Sequence, residues 1–366
     1  MANPALLVGS NIERLVPYVP GKPVEELQRE LGIRHVVRLA SNENPFGPSS
    51  RALEAAAAAL QHGHRYPDGY ELRVKLAALH GVGWNEVVLG SGSNEIIDMV
   101  CRTMAAPSAH AVYPDPSFVW YRMSTTATAI SSTEVPLRDH ISYDASALLA
   151  AVRPDTRLFF LANPNNPTGA YLAHDELARI LRALPASTVA VIDEAYLEYA
   201  DALDYESALA LRSLHENTLI LRTFSKAYGL AAFRVGYGIG PRSLIDYLDR
   251  VRSPFNVGSI GLAAAAAALD DQAYLERCVA HNAAERQRVS RALSDLGLTV
   301  APSQANFVLA DLASDGRTFY ERLLRKGVIV RPMPPPLTTH VRITIGLRQE
   351  NDRMLRAVRE LIDETS

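Results

Sequence analysis

Between residues 86 and 221 the chain alternates short, almost wholly apolar runs with stretches of helical period, and few folds accommodate that texture. The runs at 86–89, 110–113, 157–161, 188–192 and 218–221 read as strands. The stretches 94–104, 145–152 and 175–184 read as helices, and 49–62 and 71–80 as two more ahead of them. Strands apolar on both sides need cover on both sides, so the pattern predicts an α/β fold: a largely parallel sheet between helices. Beyond Pro254 two long helical stretches, 260–269 and 273–296, precede strand-like runs at 306–310, 328–330 and 340–345. That change predicts a second, smaller α+β domain, and 366 residues exceed one usual hydrophobic core. The expected division is a large domain over 46–255 and a small one over 256–366, with the proline-punctuated residues 1–45 forming an irregular arm that joins the latter.

Composition narrows the function classes. With 37 Lys and Arg against 40 Asp and Glu and no basic block, a nucleic-acid or polybasic membrane partner is not expected. Cys101 and Cys278 lack CxxC spacing; they suit a reducing compartment and build neither a disulfide framework nor a cysteine metal site. Residues 1–7 lack the basic start of a secretory signal, and the apolar stretch 262–269 is short of a membrane span, so a cytoplasmic protein is expected. The alanine runs at 55–59 and 263–268 read as helix rather than low complexity.

Ligands of open α/β sheets bind beyond the carboxyl ends of the strands, so the residues that follow each strand matter most. After the first comes Gly90-Ser91-Gly92-Ser93-Asn94-Glu95, a glycine turn opening a helix, which suits a phosphate and equally a plain turn with an N-cap. Next is Asn163-Pro164-Asn165-Asn166-Pro167-Thr168-Gly169, a stiff amide-rich turn or simply a loop. Asp193-Glu194-Ala195-Tyr196 places a carboxylate directly behind a buried strand, costly unless something cationic meets it, though a solvated loop acid reads the same way. Arg222-Thr223-Phe224-Ser225-Lys226 places a lysine at a strand end, where desolvation lowers an amine's pKa and lets it form an imine with an aldehyde; Arg234 follows eight residues later. An anion cup, a carboxylate, an amide turn and a nucleophilic lysine at the strand ends of one sheet are what pyridoxal phosphate requires.

These segments, in this order, resemble the fold-type-I, aspartate-aminotransferase-like pyridoxal-phosphate enzymes, and within them the histidinol-phosphate aminotransferases. The likeness also covers Leu15-Val16-Pro17-Tyr18, Leu39-Ala40-Ser41-Asn42-Glu43-Asn44-Pro45, Arg65-Tyr66-Pro67-Asp68, Gln304-Ala305-Asn306-Phe307 and Arg342-Ile343-Thr344-Ile345-Gly346. The resemblance implies a mostly parallel seven-stranded sheet in the large domain. It also implies that Lys226 binds the cofactor as an imine and then shuttles a proton, while Asp193 pairs with the pyridine nitrogen. By the same resemblance Asn166 and Tyr196 bond the phenolic oxygen, and Phe118, otherwise a core aromatic, stacks on the ring. Ser93, Asn94, Thr223, Ser225 and Arg234 are implied phosphate ligands, joined by Tyr66 from the neighbouring subunit of a homodimer. Arg342, Arg331, Tyr18 and Asn44 are implied on the substrate side, for a small-molecule amino donor and a 2-oxo acid.

The chain departs from the family pattern mainly on the substrate side, where Pro332-Met333-Pro334-Pro335-Pro336-Leu337-Thr338-Thr339 lacks the usual glycines. Ala106-Pro107-Ser108-Ala109 and Ala231-Ala232-Phe233 depart as well. The expected reaction is ping-pong transfer between L-histidinol phosphate and 2-oxoglutarate. The alternatives are an aromatic or secondary-metabolite aminotransferase, a lyase like threonine-phosphate decarboxylase, and a cofactor-binding regulatory domain, for which the arm supplies no DNA-binding module.

Overall fold

The structure, a computed structural model, describes residues 8–19 and 21–364; residues 1–7, on which the expectation about a leader rests, and the arm proline Pro20 lie outside them. Among the described residues eight strands precede residue 240: β1 (Val37–Arg38), β2 (Val87–Gly90), β3 (His110–Asp115), β4 (Ser131–Pro136), β5 (Thr156–Ala162), β6 (Val189–Asp193), β7 (Thr218–Thr223) and β8 (Gly236–Ile239). Five follow: β9 (Thr299–Ala301), β10 (Phe307–Asp311), β11 (Val328–Ile329), β12 (Arg331–Pro332) and β13 (His340–Thr344).

The large sheet has seven strands in the order β2-β8-β7-β6-β5-β3-β4, all parallel except β8, which runs against both its neighbours. Both faces of its central strands are dry. Leu158 and Phe160 of β5, Val189 and Val191 of β6 and Leu219 and Leu221 of β7 join one core with Ile96, Ile97 and Val100 of the helix Ser93–Met104. The intervening Phe159, Leu161, Ala190, Ile192 and Ile220 join another with Leu177, Ile180 and Leu181 of the helix His174–Ala183. Continuous apolar runs are therefore alternating runs with two buried faces, as the sequence pattern predicts.

A separate core is built on the antiparallel sheet β12-β13-β10-β9, from Val308, Ala310, Val341 and Ile343 with Met354, Val358 and Leu361 of the helix Arg348–Asp363. Leu27, Leu39 and Ala40 from the N-terminal segment lie in this core, and β1 pairs in parallel with β11.

One reading of the sequence needs correction, and two strands are not legible in it. The N-terminal segment is not irregular: Val24–Leu31 is a helix ended by Gly32 at φ 68°, and β1 follows it. Its apolar Val24, Leu27 and Leu31 have helical spacing that the surrounding prolines mask. Strands β4 and β8 escape an apolar-run search because β4 is a largely solvated edge strand, Ser-Ser-Thr-Glu-Val-Pro, and β8 is half glycine.

Candidate active site

The carboxyl ends of β2, β5, β6 and β7 and the start of β8 open onto one edge of the large sheet, and a cavity of about 260 Å³ lies there. Its floor is the end of the sheet itself, Ala162, Asp193 and Thr223. Its far wall comes from the other core through Arg342 of β13, and Tyr18, Ser41 and Asn42 of the N-terminal segment close it.

At one end the cavity collects donors. The helix Ser93–Met104 starts without a side-chain cap, so its first N–H groups and positive dipole are left for a ligand. Ser93, Asn94, Thr223, Ser225 and Arg234 all line this end. Arg234 is held by neutral acceptors, Ser225 Oγ at 3.4 Å, Ala231 O at 3.1 Å and Ser91 O at 3.4 Å, so its charge has no carboxylate among the described residues. The approach is close: a Cβ on Gly92, at φ 76°, would meet the Arg234 guanidinium at 2.4 Å. An uncapped helix start, hydroxyls and an uncompensated guanidinium around a glycine turn fit a bound phosphate.

Across the floor, Asp193 is buried, accepting from Tyr121 OH at 3.0 Å and from the Ala195 N–H at 3.1 Å. Burial raises its carboxyl to about 6 against the pull of those two donors, so it is mostly ionised at neutral pH. Lys226 lies on the same cavity with its Nζ donating to Ser41 O at 3.3 Å and standing 5.8 Å from the Tyr196 ring centroid. Burial, reinforced by the positive charge of Arg342, lowers its amine to about 8. The same residues thus offer a carboxylate for a protonated ring nitrogen and an amine that is partly unprotonated near neutrality, the two remaining needs of pyridoxal phosphate.

The loop after β5 divides its asparagines. Asn163 bonds Leu172, and Asn165 bonds Pro116 O, Ser117 and Thr168, so both hold the turn; Asn166 faces the cavity and accepts from Arg342 Nη1. Arg342 Nη2 donates to Ala40 O at 2.8 Å, while its buried Nε has no partner and no carboxylate pairs with the group among the described residues. A cation in that state is suited to an anionic ligand. Phe118 lines the cavity with its ring edge-on to Tyr121.

A second cavity of about 410 Å³ adjoins the first through Tyr18, Phe118, Asn166 and Arg342. Val16, Met123, Met333, Pro334, Pro335 and Leu337 make its wall largely apolar. Arg331 lies there rather than in the inner cavity, donating to Val19 O at 3.1 Å with its guanidinium 5.6 Å from the Tyr18 ring centroid.

Two expected residues are not brought to the cavity of their own chain. Asn44 donates its amide to Ala227 O at 2.8 Å and to Tyr274 OH at 3.3 Å, which holds it behind the Lys226 loop. Tyr66 is 81% exposed and stacks on Phe255 with centroids 4.4 Å apart. Conversely, Asn42, Ser41, Trp120 and the Asp193 partner Tyr121 carry no role legible in the sequence. Asn42 stands inside the motif at 39–45 with nothing there to mark a function, and Tyr121 is an aromatic in a helix that nothing in the sequence marks as facing a carboxylate.

Residues 34–358 match the family described as aminotransferase class I and II. Histidinol-phosphate aminotransferase 2 of Pseudomonas aeruginosa is 46% identical over 97% of this chain and 98% of its own. The histidinol-phosphate aminotransferase of a Geobacillus species is 42% identical over 98% of each chain. Among solved structures, the histidinol-phosphate aminotransferase of Sinorhizobium meliloti in complex with pyridoxal-5'-phosphate superposes with a TM-score of 0.89, at 31% identity over 98% of each chain. With a lysine, a carboxylate and an unpaired arginine at the strand ends of such a sheet, the chain belongs to the aminotransferase class I and II family and, within it, to the histidinol-phosphate aminotransferase group.

Proposed function

We propose that this pyridoxal-phosphate-dependent aminotransferase moves the amino group of L-histidinol phosphate to 2-oxoglutarate, giving imidazole-acetol phosphate and L-glutamate. The observation that carries the reading is one cavity in which Lys226, its amine lowered to about 8, shares a wall with Asp193, Arg234 and Arg342. When bound, the cofactor supplies an electrophilic aldehyde and an electron-withdrawing ring. Relatives of 42–46% identity named histidinol-phosphate aminotransferase support the choice of donor.

The protein's own groups divide the work. Ser93, Asn94, Thr223, Ser225 and Arg234 hold the cofactor phosphate, the last as a charged fork. Asp193 keeps the proton on the ring nitrogen, Asn166 and Tyr196 bond the phenolic oxygen, and Phe118 covers the ring face. Lys226 is the nucleophile toward the aldehyde and, once released, the base that takes the proton from the substrate's α-carbon. Arg342 binds the glutamate carboxylate in one half-reaction and the substrate phosphate in the other, assisted by Arg331, while Tyr18 closes over the substrate ring.

The same proposal includes a cytoplasmic homodimer with domain limits near residues 45 and 255. The exposed Tyr66, Tyr70, Trp84 and Phe255 support the dimer as aromatic surface that a monomer leaves in water, and the two free cysteines suit a reducing compartment. Among the described residues no helix is long and apolar enough to cross a membrane.

Steady-state assays with each amine test the donor: turnover with L-histidinol phosphate is expected, and its absence alongside turnover with phenylalanine would overturn the choice. An aromatic donor is the second reading, favoured by the apolar wall of the outer cavity.

A further inference from the structure

Asn42 is 1% exposed and sits at φ 55°, in the left-handed region that is strained for most side chains and that asparagine tolerates better than most. Every polar group it carries is engaged. Its backbone N–H donates to Thr344 Oγ1 at 2.9 Å, and its carbonyl accepts from Asn306 Nδ2 at 3.0 Å. Its side-chain Oδ1 accepts from Thr344 Oγ1 at 3.0 Å, and its Nδ2 donates to the Tyr196 hydroxyl at 2.9 Å.

Proton accounting fixes the direction of this chain. The Thr344 hydroxyl accepts from a backbone N–H, and among the described residues its own proton finds one acceptor, Asn42 Oδ1; a reversed amide would leave that buried proton without one. That contact sets which end of the amide is oxygen, and the NH₂ group must then face Tyr196. The phenol oxygen is therefore an acceptor toward Asn42, and its own proton has no acceptor among the described residues. Burial pushes the Tyr196 phenol up, which keeps that proton in place, and the residue lines the inner cavity.

We propose that Asn42 is a positioning residue which, braced by Thr344, turns the Tyr196 O–H into the cavity and makes the phenol a donor there. The inference rests on the proposed cofactor site, because the group that receives the proton is the phenolic oxygen of pyridoxal phosphate. It also joins that bond to the substrate side. Thr344 stands two residues along β13 from Arg342, and the same strand grips the N-terminal segment through Thr344 N to Leu39 O at 2.9 Å and Arg342 Nη2 to Ala40 O at 2.8 Å. The strand that carries the anion-binding arginine thereby sets the orientation of the Tyr196 hydroxyl in the same cavity.

Spectrophotometric pH titration of the holoenzyme chromophore tests this. Asn42→Asp keeps the shape and the tolerance for left-handed backbone, but its carboxylate accepts only and draws the Tyr196 proton out of the cavity. The phenolic oxygen becomes more electron-rich, the chromophore holds its proton to higher pH, and the midpoint rises by about one pH unit. Thr344→Val, a neutral change outside the cavity wall, frees the Asn42 amide to rotate and raises the midpoint by less, and Thr344→Ser restores it. Because the effect runs through the phenol, Thr344→Val moves nothing further in a Tyr196→Phe background.

Coloured Asn42→Asp and Thr344→Val variants that titrate at the wild-type midpoint would overturn the inference and leave the cofactor site standing. A Thr344→Val shift that persists without the phenol would overturn it equally. A wild-type chain that stays colourless with pyridoxal phosphate would remove the cofactor reading and this inference together. If Asn42→Asp does not fold, a midpoint raised in Thr344→Val and restored in Thr344→Ser upholds the inference, and equal midpoints in those two variants overturn it.

Discussion

Burial pushes Lys226 and Asp193 each toward its neutral form, and this has opposite consequences on the two sides of neutrality. The Lys226 amine, lowered to about 8, is protonated below that value and free above it. In the cofactor-free chain, amine-directed labelling of Lys226 should therefore rise with pH and reach half its maximum near pH 8, with exposed lysines following about two units higher, as quantitative peptide mapping would read. The Asp193 carboxyl, raised to about 6, is ionised above that value and loses its charge as pH falls through it. Wild-type affinity for pyridoxal phosphate should exceed that of Asp193→Asn above pH 6, and the ratio of the two should shrink below it, measured by equilibrium binding. Both residues are legible in the sequence because each follows an apolar strand closely. Tyr121, which donates to Asp193, is not, because only the folded helix Trp120–Ala127 brings its hydroxyl to the carboxylate.

At the level of elements, the donor-rich end of the cavity exists because the helix Ser93–Met104 rests its start directly on β8. A Cβ on Gly236 would lie 2.3 Å from Ser93 N and 2.5 Å from Gly92 C, backbone atoms that cannot swing aside. Gly236→Ala should therefore cost about 1–3 kcal/mol of stability in denaturant unfolding and weaken phosphate binding at the same time, since the two elements must part. Phosphate binding would be read from the affinity for inorganic phosphate of the cofactor-free chain. The central strands β5, β6 and β7 could be read from sequence since their apolar residues, 158–161, 189–192 and 219–221, contribute alternately to two dry faces. The edge strand β4 could not, because only Val135 is buried, and neither could the pairing of β1 with β11, because two-residue strands carry no period. Asn42 is illegible for a related reason: its role depends on Thr344, 302 residues away.

For the molecule as a whole, Tyr66 stands away from its own cavity, stacked on Phe255. If Tyr66 of the partner subunit completes each site, Tyr66→Ala and Lys226→Ala chains, each nearly inactive alone, should complement when refolded together. Random pairing makes half the dimers hybrid with one competent site of two, so recovery of about a quarter of the wild-type activity is expected. No recovery in hybrids shown to form by sedimentation would exclude the shared site. The pairing of β1 with β11 has a further consequence for biosynthesis. Leu27, Leu39 and Ala40 leave the ribosome well before Val308 to Leu361 of the strands and helices they pack against. The nascent chain must therefore hold this apolar segment without those partners while the whole large sheet, β2 to β8, is made. The grip of β13 on Leu39 and Ala40 forms only once β13 itself has emerged, so the catalytic pocket is not closed before then.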